Sequence, residues 1–235
     1  MINQSFKYQE AIIRPHHIAW IVCLVPIIAA HAAYFIGLWQ GVANECVPYF
    51  EGCTSISRAA RNGDAIFLFR GLMMPTAAFL VIFWYLQCVW LKELTNKSHN
   101  IIFVLGTIGA VFLILYADFL GTEGDFYNFM RRYGITFYFA MTILAQMLSI
   151  RSLQKVKDTL DRKIKRYLSI QFVLIGIYWI LGITNVVIKA TSVSWADQSE
   201  NIIEWHFALY MSFFFGLTAM MWKRSGFKFQ FRVNR

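Results

Sequence analysis

The chain has 235 residues, 58% of them hydrophobic and only 15% charged, with a formal net charge of +9. A soluble domain carries about 25% charged residues, so much of this surface is expected to face something other than water. That excludes an ordinary water-soluble enzyme. The positive charge sits between apolar runs rather than in one basic stripe, which argues against a nucleic-acid partner.

A bilayer core needs about 20 consecutive apolar residues in helical form. The first stretch to qualify is 18–40, after a polar leader containing Lys7 and Arg14. Ala30-His31-Ala32 has the small-x-small look of a signal cleavage site. The apolar run continues through Leu38, however, so the segment reads as a retained span. An external loop, 41–65, follows, with Cys46 and Cys53 inside it. That side of a membrane is oxidising in most compartments, and a disulfide between the two is expected. Within the loop, Ser-Arg-Ala-Ala-Arg-Asn-Gly-Asp reads as a short interfacial helix ended by Asn62-Gly63.

The second and third spans are 66–91 and 101–120, and the fourth, 134–150, is the shortest and carries Gln146. The strongly basic segment 151–166 reads as a helical extension on the way to the fifth span, 167–188. The sixth span is 202–222, and the tail 223–235 interleaves basic and aromatic residues. The apolar runs are continuous rather than alternating, so helices are expected and a barrel is not. The expected fold is an all-α polytopic membrane protein, a single six-helix domain. Trp20, Trp39, Trp90, Trp205 and Trp222 fall near span ends, where an interfacial belt is expected, whereas Trp84 and Trp179 are expected between helices.

Lys and Arg fix the orientation. The leader, the connector 92–100, the segment 151–166 and the tail together hold 16 of the 22 basic residues and 4 of the 13 acidic ones. These segments are therefore expected in the cytoplasm, and with them both termini. The basic loop and tail would meet anionic inner-leaflet headgroups. Which membrane the chain occupies is not legible.

Ionisable groups inside a span cost about 2.5–3.5 kcal/mol at mid-helix and need a partner or a purpose. Here they are His31, Arg70, Asp118, Glu204 and His206, all toward the external side, with Glu123 and Asp125 in the loop that follows Asp118. Arg70 is expected either to pair with Asp118 or Glu204 and lock the bundle, or to face a lipid phosphate. In the second case Glu204 or Asp118 would orient hydroxyls, and the set would form a polar outer-leaflet pocket for a lipid headgroup. Two histidines at different depths do not make a zinc centre, Cys23 and Cys88 read as apolar fillers, and no metal or cofactor is expected. No catalytic residue can be assigned.

The external loop and the last span resemble the Frag–DRAM–Sfk family of six-span membrane proteins with cytoplasmic termini. The resemblance rests on Ser55-Ile56-Ser57, then Gly63, then Phe69-Arg70 entering the second span, and on Glu204-Trp205 opening the last. It implies lipid-linked biology: binding, sensing or organising membrane lipids. The alternatives are a lipid-remodelling enzyme, by acyl transfer or hydrolysis on a phospholipid or glycolipid, and an accessory subunit of a membrane complex.

Overall fold

Long runs of Leu, Ile, Phe, Val and Ala leave backbone polar groups no partner in a bilayer except one another, and the helix is the local solution. A computed structural model describes residues 9–191 and 194–233. Its elements are β1 (Gln9–Ile13), α1 (His16–Trp39), α2 (Pro48–Glu51), α3 (Ile56–Ala60), α4 (Ala65–Thr95), α5 (Asn100–Phe119), α6 (Asp125–Gln154), α7 (Arg162–Thr191), α8 (Ala196–Arg224) and β2 (Phe229–Val233). Six of them, α1 and α4 to α8, are long and apolar enough to cross a membrane. The chain is thus an integral membrane protein, as composition and run length predict.

Helices α4, α6, α7 and α8 outrun the expected spans, α6 most of all. At 30 residues it is about 45 Å long, well beyond the hydrocarbon thickness of about 30 Å. Polar and aromatic residues 125–133 extend it past the apolar run. The segment 151–166 is not one continuous helical extension. Its first residues prolong α6, a 3₁₀ turn covers Lys157–Thr159, and α7 begins at Arg162. Asp161 breaks the run by accepting the Lys163 N–H at 2.9 Å, as an N-cap does.

The helices form a ring in the order α7, α8, α1, α4, α5, α6, with α6 against α7 the thinnest seam. Small residues set the close approaches, as in membrane bundles generally. Gly106 lies against the Trp84 ring, Gly109 against Thr142, and Gly134 against the Tyr116 backbone. Deep in the bundle Phe83, Trp84, Phe215 and Trp222 interlock with ring centroids 4.9–5.9 Å apart. Gln171 of α7 donates to the Phe214 carbonyl at 3.1 Å and to the Thr218 hydroxyl at 2.9 Å, and Gln146 of α6 reaches the Met211 carbonyl at 3.5 Å. Both amides thus tie the thin side of the ring to α8.

Two tryptophan expectations are corrected. Trp179 does not pack between helices: it joins Ile180, Ile183 and Val186 on the outward stripe of α7, the surface offered to lipid. Trp205, Trp222 and Trp90 are buried instead of forming a belt, because each turns onto a neighbouring segment: Trp205 to the Thr54 carbonyl, Trp90 to Ser225 and Trp222 onto the Phe83 ring.

Strands β1 and β2 pair antiparallel from Gln9↔Val233 to Ile13↔Phe229, so both ends of the chain lie on one face. Trp90 donates to Ser225 at 3.0 Å, and Arg224 bridges to Asp161 at 3.1 Å, which brings the C-terminal end of α4 and the connector 155–161 to that same face. The alternate connectors that crowd the basic residues are therefore neighbours in space. Residues before 9 and after 233 lie outside the described residues.

Candidate functional site

The opposite face is closed by the connector 41–64. The expected disulfide is present: Cys46 and Cys53 are bonded, with Cα atoms 6.5 Å apart, and close a small ring around α2. Tyr34 of α1 fastens one end of that ring. Its hydroxyl lies 2.8 Å from the Cys46 carbonyl and accepts the Cys46 N–H at 3.0 Å. Gly52 ends α2 in the left-handed region, at φ 61°, and any Cβ there would run into the Gln198 carbonyl of α8.

From Gly52 onward α8 holds the loop by its backbone. Asn201 donates to the Gly52 carbonyl at 2.7 Å, Trp205 to the Thr54 carbonyl at 2.9 Å, and Glu204 accepts the Ser57 N–H at 3.2 Å. Positions 201, 204 and 205 share one helix face, so a single stripe of α8 acts as a rail for the loop. Ser55 caps α3 by accepting the Arg58 N–H at 3.0 Å. Gln40 clamps the exit, donating to the Asp64 carboxylate at 2.6 Å and accepting its N–H at 3.1 Å. Gly63, at φ 56°, leaves room for the Gln40 amide where a Cβ would stand.

Beneath this roof is a cavity between α1, α4, α5, α6 and α8. About 50 Å³ of it admits the centre of a water-sized sphere. Most of the lining is apolar, including Pro26, Met73, Leu113, Phe139 and Met211. One end is polar, with His31, Tyr49, Tyr116 and Glu204. His31 places Nδ1 2.7 Å from the Ile27 carbonyl and Nε2 3.2 Å from the Tyr49 hydroxyl. A carbonyl only accepts, so the proton is assigned to Nδ1 and Tyr49 donates to Nε2. Burial pushes the Tyr49 phenol above its ordinary value, which keeps that donor protonated. Trp205 packs on both rings, at 5.4 Å from His31 and 5.3 Å from Tyr49. Tyr116, buried on α5, has a hydroxyl with no hydrogen-bond partner among the described residues.

The seven expected headgroup residues do not share one pocket. His31 and Glu204 line the cavity. His206 sits beside it, edge-on to Tyr49 at 5.3 Å, with Nδ1 2.9 Å from the Ile202 carbonyl. Arg70 turns to the end of α5: Nε donates to the Ala117 carbonyl at 3.0 Å, and one terminal nitrogen to the carbonyls of Asp118 and Leu120 at 2.6 Å each. Arg70 therefore meets the backbone of Asp118 and not its carboxylate. Asp118, Glu123 and Asp125 are exposed, and Asp125 lies in the first turn of α6, where its charge suits the helix dipole. Glu204 lies more than two turns inside α8 rather than at its opening. Among the described residues no three His, Cys, Asp or Glu side chains are grouped to hold a metal ion.

Sequence reasoning missed Tyr34, Tyr49, Tyr116 and Asn201. The spacing of Asn201, Glu204 and Trp205 was a signal of a shared face. The tyrosines carried none, because an aromatic residue in an apolar run reads as core.

No family model, curated protein or solved structure matches the chain. The fold defines the class: an integral membrane protein of six apolar helices, with a disulfide-closed loop roofing a cavity at one end.

Proposed function

We propose that this protein is a non-enzymatic, lipid-associated membrane protein of the Frag–DRAM–Sfk type, holding a membrane lipid in the roofed cavity. The cavity carries the reading: an apolar interior with one polar end suits a lipid, whose own polarity is divided in the same way. The motif residues behind the family resemblance support it. Ser57, Gly63, Arg70 and Glu204 join the roof or the neighbouring helix ends to the bundle, and Ser55 caps α3 within the roof.

On this reading the roof faces the outer leaflet and both termini lie in the cytoplasm. The grouping of basic connectors on the face of β1 and β2 supports that orientation. Anionic inner-leaflet headgroups would meet the basic loop and tail there, and the groove between Arg14, His16, Lys223 and Lys228 offers one such contact.

Native mass spectrometry of protein purified in mild detergent tests the proposal. The wild type should carry a lipid adduct. Ala30→Phe and Ala208→Phe, which fill the cavity, should lose it while keeping a folded thermal transition. A wild type without adduct, or filled variants that retain it, would refute the reading.

A further inference from the structure

We infer that the cavity takes a lipid whose head donates hydrogen bonds, a long-chain amine or alcohol, and not a phospholipid. The inference rests on the lipid-holding reading above and concerns which lipid is held.

The polar atoms left for a ligand are acceptors or hydroxyls. The Glu204 carboxylate takes the Ser57 N–H at 3.2 Å and draws on the neighbouring Ile56 N–H, which leaves part of its four-site acceptor capacity for a ligand. The Tyr116 hydroxyl lines the same cavity and is unpartnered. His31 has both ring nitrogens engaged, and the hydroxyl of Ser212 already donates to the Ala208 carbonyl at 2.9 Å. An ammonium or hydroxyl head would donate to Glu204 and satisfy Tyr116, which is costly to leave unmade in a buried site.

A phosphate has no such match. No Lys or Arg lines the cavity. Arg70, the cation that sequence placed nearest, is committed to three carbonyls at the end of α5. A phosphate brought beside Glu204 would be a buried charge without a counter-charge.

The test uses full-length protein in phosphatidylcholine nanodiscs and two photoreactive alkyne probes of equal chain length, one sphingosine and one lysophosphatidic acid. Labelled peptides are mapped by mass spectrometry. The sphingosine probe should label cavity segments of α1, α5 or α8, and unlabelled sphingosine or hexadecanol should displace it. The lysophosphatidic acid probe should label them at least about tenfold less, the cost of one uncompensated charge contact. Tyr116→Phe removes only the unpartnered hydroxyl, should fold as the wild type does, and should lower sphingosine labelling about fivefold. Glu204→Gln should lower it more, and Tyr116→Phe decides the matter if loss of the Ser57 contact impairs folding of that variant. Equal labelling by both probes, or none by either, would overturn the inference. So would a retained diacyl phospholipid that the cavity-filled variants lose, a result that would leave the lipid-holding reading standing.

Discussion

Replacing Arg70 separates its two expected roles. The last carbonyls of a helix have no intrahelical partner, and a cation there also complements the dipole. Arg70 serves two such carbonyls of α5, Ala117 and Asp118, and that of the residue that follows the helix, Leu120, at 3.0, 2.6 and 2.6 Å. Hydrogen bonds from a charged donor contribute about 1.5–3 kcal/mol each. They share one side chain that is only half-buried, so the sum is discounted to about 3 kcal/mol for Arg70→Ala. For a protein of this size 1 kcal/mol shifts Tm by about 2–4 °C, giving an expected fall of about 6–12 °C. Arg70→Lys keeps the charge but loses the fork and should fall about halfway between. Tryptophan fluorescence during thermal unfolding in detergent reads Tm, and mass spectrometry of the same samples reads bound lipid. Arg70→Ala should lose stability first and lipid only as a consequence. If Tm stays within about 1 °C of wild type while the lipid adduct vanishes, Arg70 contacts the lipid and the capping argument fails.

Two further outcomes follow from the connectors. Cys46→Ser/Cys53→Ser removes a link across a sequence separation of seven. The loop-entropy relation puts that at about 2.5 kcal/mol. It should appear as faster proteolysis of 41–64 well below the global transition, and equal protease resistance with and without the bond would contradict the roof's dependence on it. On the other face, Arg224 and the Lys163 N–H hold the Asp161 carboxyl down to about 2. Because the folded value lies below the unfolded one, the pair stabilises above about pH 4 and is lost as pH falls toward 2. A double-mutant cycle of Asp161→Asn and Arg224→Gln should show coupling at pH 7 that is largely lost by pH 2, and pH-independent coupling would refute the ionic account.

The site was less legible than the fold because the costs that place its residues are not local. An arginine one turn inside an apolar run must find acceptors, and that much is legible. Sequence suggested carboxylates or a phosphate, whereas the end of α5 supplied carbonyls, which no composition reveals. Glu204 could be singled out as an expensive group, but its partner, the Ser57 N–H, is 147 residues away. Trp179 and Trp205 have the same chemistry in similar apolar runs, and only the ring order of helices turns one to lipid and buries the other.

Sequence by itself determined that this chain crosses a membrane as six helices and which connectors share a face. Hydrocarbon thickness sets a minimum apolar length, and backbone groups in lipid must be satisfied within their own segment. Tertiary structure alone decided what each embedded polar group touches, that α8 is the rail for the loop, and that a narrow cavity lies beneath the disulfide-closed roof. Those contacts join residues far apart in the chain, and their geometry exists only once the helices have packed.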